Sequence, residues 1–105
     1  MIRYSTDVIV IGAGFTGLST ALHLREAGVD VAIVEAAEPG WGASGRNGGQ
    51  VIAGLKYDPD ALEARFGPDI GPRLVRTVGD APDTLFRLIA RLGIACEARR
   101  NGWIQ

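Results

Sequence analysis

The sequence predicts an α/β fold built on a parallel strand–helix–strand unit, and three observations carry that reading. A short apolar run, DVIVI over residues 7–11, breaks at Gly12 into the spacing GxGxxG, completed by Gly14 and Gly17. The apolar period then changes from that of a strand to that of a helix. A second apolar run over residues 29–34 ends in an acid, Glu35. Together these span about 30 residues, the size of one βαβ unit.

The first run is nearly continuous and rich in β-branched residues, so it reads as a strand buried on both faces. After Gly17, apolar Leu18, Ala21 and Leu22 recur at helical spacing, and Gly28 fits a left-handed stop. Each glycine of the fingerprint has its own task. Gly12 permits the tight turn out of the strand. Gly14 leaves room for a pyrophosphate to approach the backbone, and Gly17 allows the helix to pack closely on the strand. Free N–H groups and the positive dipole end of the helix then face the phosphates. Glu35, at the end of the second strand, can accept hydrogen bonds from ribose hydroxyls, and its charge disfavours a 2′-phosphate as in NADP.

Residues 37–54 are glycine-rich. The stretch GWGASGRNGGQ over 40–50 supplies Trp41, Ser44, Arg46, Asn47 and Gln50 between small residues. Small residues permit close backbone approach, and the hydroxyl and amides can serve phosphates and polar ring edges. From the residues alone, a flexible surface loop is an equal alternative.

Residues 58–93 are expected to be mainly helical. Asp58, Pro59 and Asp60 carry helix-start chemistry, with Asp60 a candidate cap for residues 61–66, and Gly67-Pro68 ends that segment. Leu74, Val78, Ala81, Leu85, Leu88 and Leu92 form an amphipathic stripe, read as core packing. Pro82 falls within the stripe and predicts a kink or a junction of two helices. Gly93 fits the stop. Residues 94–100 read as a strand, Asn101-Gly102 as a hairpin turn, and residues 103–105 as the start of the return strand. The chain is thus expected to comprise residues 1–57 as the nucleotide-binding segment with its second glycine-rich loop, 58–93 as a helical segment, and 94–105 as an unfinished hairpin. Two sheet strands are too few for a doubly wound fold. The chain is therefore read as the amino-terminal part of a longer protein, whose remainder would complete the fold; a short strand that ends naturally is the alternative.

Composition is that of an ordinary globular protein. The chain has 105 residues, 47% hydrophobic and 22% charged, with a net charge of −1, which provides no broad basic field for nucleic acid. No apolar run approaches the roughly 20 residues needed to span a bilayer. The amino terminus lacks a signal-peptide pattern, and the single cysteine, Cys96, predicts a reducing, cytoplasmic setting. No CxxC, HExxH, GxSxG or GxxxxGK[ST] pattern is present, so no metal ligand set is assigned. His23 reads as a packing or surface residue, Cys96 as a small apolar one, and Arg99 and Arg100 as a solvated strand end.

The strand, the glycine fingerprint, Glu35 and the second glycine-rich stretch together resemble the amino-terminal region of the FAD-dependent oxidoreductases of the D-amino-acid oxidase (glycine/sarcosine oxidase) family. The 40–50 stretch is most similar to the γ-glutamylputrescine oxidoreductase branch. The resemblance covers essentially the whole chain but about the first quarter of such an enzyme. It implies a Rossmann-like FAD-binding domain, with FAD as the cofactor. It carries cofactor contacts onto Gly12, Gly14, Gly17 and Glu35, with Phe15, Thr16 and Ala36 beside them. It extends them to Ala43, Ser44, Arg46, Asn47, Gly48, Gly49 and Gln50, along the pyrophosphate, ribityl chain and flavin ring. For Arg46 a solvated loop cation or a salt-bridge partner stands as the alternative.

The activity that the resemblance implies is oxidation of an amine or amino acid, with hydride passing from the α-carbon to the flavin. The imine then hydrolyses, and oxygen re-oxidises the cofactor to give hydrogen peroxide. Substrate-selecting and catalytic residues would lie mostly beyond Gln105, and residues 1–105 alone are expected to bind FAD weakly or not at all and to lack oxidase activity. An NAD-dependent dehydrogenase fits the fingerprint by itself but has no need of the second glycine-rich stretch. A stand-alone nucleotide-binding module would leave its sheet edge open.

Overall fold

The computed structural model describes residues 3–102. They fall into two compact units, Met1–Gly49 and Gln50–Gln105. The first unit closes at Gly49, ahead of the boundary expected after residue 57, so Gln50 belongs to the second.

In the first unit, β1 (Val8–Ile11) is followed by α1 (Phe15–Glu26) and β2 (Val31–Val34). The two strands pair in parallel, with Val8 opposite Val31 and Ile11 opposite Val34. Asp7 secures the start of this ladder: its carboxylate accepts the Asp30 N–H at 3.1 Å, and its own N–H donates to the Asp30 carbonyl at 3.0 Å. α1 ends where Gly28 takes a positive φ of 82°, as its glycine predicts. His23 is exposed, and its Nδ1 lies 2.7 Å from the Ser19 carbonyl one turn back.

The expected burial of β1 on both faces is corrected. Val8 and Val10 are half-buried, whereas Ile9 is 61% and Ile11 87% exposed. A parallel strand is buried twice only when helices cover both faces of its sheet, and among the described residues of this unit α1 is the only helix of more than one turn. A groove of about 360 Å³ runs along the strands, lined by Tyr4, Thr6, Ile9, Val31 and Val34 among others.

In the second unit, α2 (Pro59–Gly79) and α3 (Ala81–Leu92) form a helical pair. The cap of α2 is Asp58 rather than Asp60: its carboxylate accepts the Ala61 N–H at 2.8 Å. Proline at the first helical position favours the residue before it as the cap, which leaves Asp60 in the first turn. Replacing Asp58 by alanine is expected to destabilise this unit by about 1 kcal/mol. A denaturation midpoint unchanged from wild type would reject that.

α2 bends at Gly67, whose φ of 81° and ψ of 171° are not helical. Past the bend the chain comes so close to the first segment that a Cβ on buried Gly71 would overlap the backbone of Glu63. Leu62, 4% exposed, anchors the unit. Pro82 marks a helix junction: Asp80 ends α2, and the proline sits in the first turn of α3, where its missing N–H is harmless. Gly93 stops α3 at φ 61°. The apolar stripe is only partly packed, since Leu74, Val78 and Leu88 are half-buried while Leu85 and Leu92 are exposed.

The expected strand over residues 94–100 is not formed. A strand needs a ladder partner, and none of the described residues offers one to this segment. Instead Arg100 pairs with Asp83 and lies over the Phe86 ring, so the segment is held to α3. Glu97, at φ 50°, also interrupts an extended course. Residues 103–105, expected as the return strand, lie outside the described residues. Among the described residues no helix is long and apolar enough to cross a membrane.

Candidate functional site

The site is built where β1 hands over to α1. Gly12 turns the chain with φ 98°, a conformation that an L side chain rarely adopts. Its N–H still donates to the Val34 carbonyl at 2.8 Å, the last backbone rung between the two strand ends. α1 then begins at Phe15 with Gly14 as its N-cap residue, and Gly14 has no side chain with which to cap it. A Cβ on Gly17 would overlap the Gly12 carbonyl oxygen, so only glycine allows the helix to lie this close to the turn.

The second glycine-rich stretch folds over the first. Ala43–Gly45 form one turn of 3-10 helix. The Ser44 hydroxyl accepts the Phe15 N–H at 2.9 Å, so it supplies the cap that Gly14 cannot. A Cβ on Gly14 would stand 3.0 Å from that hydroxyl oxygen. The space at Gly14 thus already admits a polar oxygen at the helix start, which is the requirement for phosphate approach. The Gly40 N–H donates to the Ala13 carbonyl at 2.9 Å, a second tie between the loops.

Asn47 braces the loop from within. Its side-chain N–H donates to the Ser44 carbonyl, and its side-chain oxygen accepts the Gly49 N–H at 2.8 Å. Arg46 forms a cation–π contact, its guanidinium carbon 4.4 Å from the centroid of the Trp41 ring, rather than the salt bridge that was one alternative.

Glu35 is exposed at the end of β2. One carboxylate oxygen accepts the Ala13 N–H at 2.7 Å and the other the Ala37 N–H at 3.1 Å. These backbone donors, Ala13 first, hold its carboxyl below the ordinary glutamate range. The folded state therefore releases this proton more readily than the unfolded chain. The associated stability is present above the unfolded pKa and is lost as pH falls through the lower, folded one. Acid unfolding of wild type and Glu35→Gln should converge at low pH and separate above the carboxylate range. A separation independent of pH would reject this origin.

The fold thus brings together Gly12, Gly14, Phe15, Gly17, Glu35, Ser44 and, through its own loop, Asn47. Thr16 is exposed in the first turn of α1, and its carbonyl accepts the Thr20 hydroxyl at 2.8 Å. Ala36, Ala43, Arg46, Gly48 and Gly49 are exposed. Gln50 falls in the other unit. Sequence reasoning passed over Ala13, which is 2% exposed and bonded through both its N–H and its carbonyl. The signal available was its place between the first two fingerprint glycines.

The family model described as FAD dependent oxidoreductase matches residues 7–105. The chain is 44% identical over 96 residues to the gamma-glutamylputrescine oxidoreductase of Escherichia coli strain K12, covering 91% of this chain and 22% of that protein. It is 40% identical over 95 residues to a probable oxidoreductase, OrdL, of Haemophilus influenzae, covering 90% and 22%. It is 37% identical over 86 residues to the glycine oxidase of Pseudomonas aeruginosa, covering 75% and 24%. The chain thus spans about a fifth of the length of the first two of these relatives. No solved structure gives a significant match.

Proposed function

Because the chain belongs to the FAD-dependent oxidoreductase family, we propose that its first unit holds the adenosine and pyrophosphate part of FAD, in a protein that oxidises the C–N bond of an amine or amino acid. The observation that carries the cofactor half of this reading is the interlock of the two glycine-rich stretches at the start of α1, with Glu35 beside them.

The residues present fit that group. The start of α1 presents N–H groups and a positive dipole end to a phosphate. Gly14 leaves the backbone bare there, and the Ser44 hydroxyl can turn from acceptor to donor beside a phosphate oxygen. Glu35 can accept from the ribose hydroxyls and repels a 2′-phosphate. Arg46, Asn47, Gly48 and Gly49 follow in sequence and would serve the ribityl and ring portions.

When bound, FAD supplies a two-electron acceptor, and the protein's part is to bind and orient. The bound amine would be oxidised to an imine, which water would convert to a carbonyl compound and ammonia or a smaller amine, the electrons going finally to oxygen. Relatives named for an amine conjugate, gamma-glutamylputrescine, and for an amino acid, glycine, support this substrate class. The lone cysteine, exposed Cys96, supports a reducing, cytoplasmic compartment.

The test is a visible absorption spectrum of the purified full-length protein, before and after heat release. A flavin spectrum that moves into the supernatant is the expected result, followed by peroxide formation on an amine panel. Absence of flavin after added FAD would overturn the reading.

A further inference from the structure

Glu35 touches more than a ribose edge. Past the last backbone rung between the strand ends, from the Gly12 N–H to the Val34 carbonyl, the turn at Gly12 swings the next residue away from β2. The following amide, Ala13 N–H, is met by the side chain of the following residue, Glu35, at 2.7 Å. The carboxylate thus extends the parallel ladder by one rung across a gap that no backbone carbonyl closes. On its other side the Ala13 peptide carbonyl takes the Gly40 N–H at 2.9 Å. Ala13, 2% exposed, is thus held through both flanking peptides: the one it shares with Gly12 through its N–H, and the one it shares with Gly14, which leads into the start of α1, through its carbonyl.

We propose that Glu35 is a positioning residue for the phosphate turn: it pins the Gly12–Ala13 peptide through the Ala13 N–H, so that the start of α1 is set before any nucleotide arrives. The functional half of this rests on the dinucleotide reading above. Acceptor capacity allows both tasks. An ionised carboxylate has about four lone-pair places. Ala13 and Ala37 each take one oxygen, with the Ala36 N–H a weaker third donor, and the places that remain can meet ribose hydroxyls. A single side chain then joins the phosphate turn to the ribose. Glutamine cannot replace it, because its one carbonyl oxygen would serve one of the two amides and its NH₂ would confront the other.

The test uses the full-length protein without nucleotide, wild type and Glu35→Gln. Residue-resolved hydrogen exchange is expected to show the Ala13 amide at least about tenfold faster in the variant, with Leu62 in α2 unchanged as the folding control. Inorganic pyrophosphate, which has no ribose, is expected to bind the variant several-fold more weakly. Unchanged Ala13 exchange would overturn the proposal, as would pyrophosphate affinity equal to wild type alongside weakened FAD, the pattern of a ribose contact alone. If wild type binds neither FAD nor pyrophosphate, the dinucleotide reading fails and the functional half with it. The exchange arm still decides whether Glu35 pins Ala13.

Discussion

Replacing Gly17 by alanine is expected to destabilise the strand–helix–strand unit by roughly 3 kcal/mol and to strip the protein of flavin. The added Cβ would overlap the Gly12 carbonyl oxygen, with Val10 Cγ1 a further 3.4 Å neighbour. Neither side can yield cheaply. Gly12 is tied to β2 through its N–H and already holds a φ of 98°. α1 would have to lift from the turn, taking the Phe15 N–H away from Ser44. Stability and cofactor should therefore be lost together. Denaturant unfolding and the flavin absorbance retained after gel filtration measure the two. A variant with the wild-type midpoint and full flavin would show that the helix does not pack on the turn as described.

The second large effect separates those two quantities. Gly45→Ala would place a Cβ into the Gly40 carbonyl oxygen. Gly45 and Gly40 belong to a loop most of whose residues are exposed, so the loop can shift, and the stability cost should stay within about 1 kcal/mol. The shift nevertheless moves the Gly40 N–H off the Ala13 carbonyl and the Ser44 hydroxyl off the start of α1. Affinity for FAD is expected to fall about tenfold or more, the effect of losing one or two well-placed hydrogen bonds. Titration of the apoprotein with FAD, beside a thermal melt, checks it. Proportionate loss of both would mean that the loop is part of the folding core rather than of the cofactor site.

Where local chemistry decides the backbone, the sequence was readable. Gly28, Gly67 and Gly93 all take the positive φ that their positions after or between helical segments suggest, and Pro82 marks a helix start. The fingerprint glycines were readable for the same reason, since the spacing GxGxxG encodes a steric demand within a few residues. What depends on distant partners was less legible. The exposure of Ile9 and Ile11 is set by what covers the sheet, which periodicity does not report. The 94–100 segment has strand-like composition, but a strand exists only with a ladder partner, and Arg100 finds Asp83 and Phe86 instead. The choice of Asp58 over Asp60 was accessible from Pro59. The contact of Glu35 with Ala13 was not, because it depends on a turn that brings together residues 22 apart. Likewise the protein partner of the Ser44 hydroxyl, 29 residues away, emerges only once both loops are folded.

The guanidinium of Arg46 over the Trp41 ring gives the glycine-rich loop its own optical signal. Indole emission responds to a neighbouring cation, and flavin absorption overlaps that emission. With every other tryptophan of the protein, Trp103 among them, replaced by phenylalanine, fluorescence would report on this loop alone. Movement of Arg46 and arrival of a flavin would then register as separate spectral events on a stopped-flow trace, without any attached label.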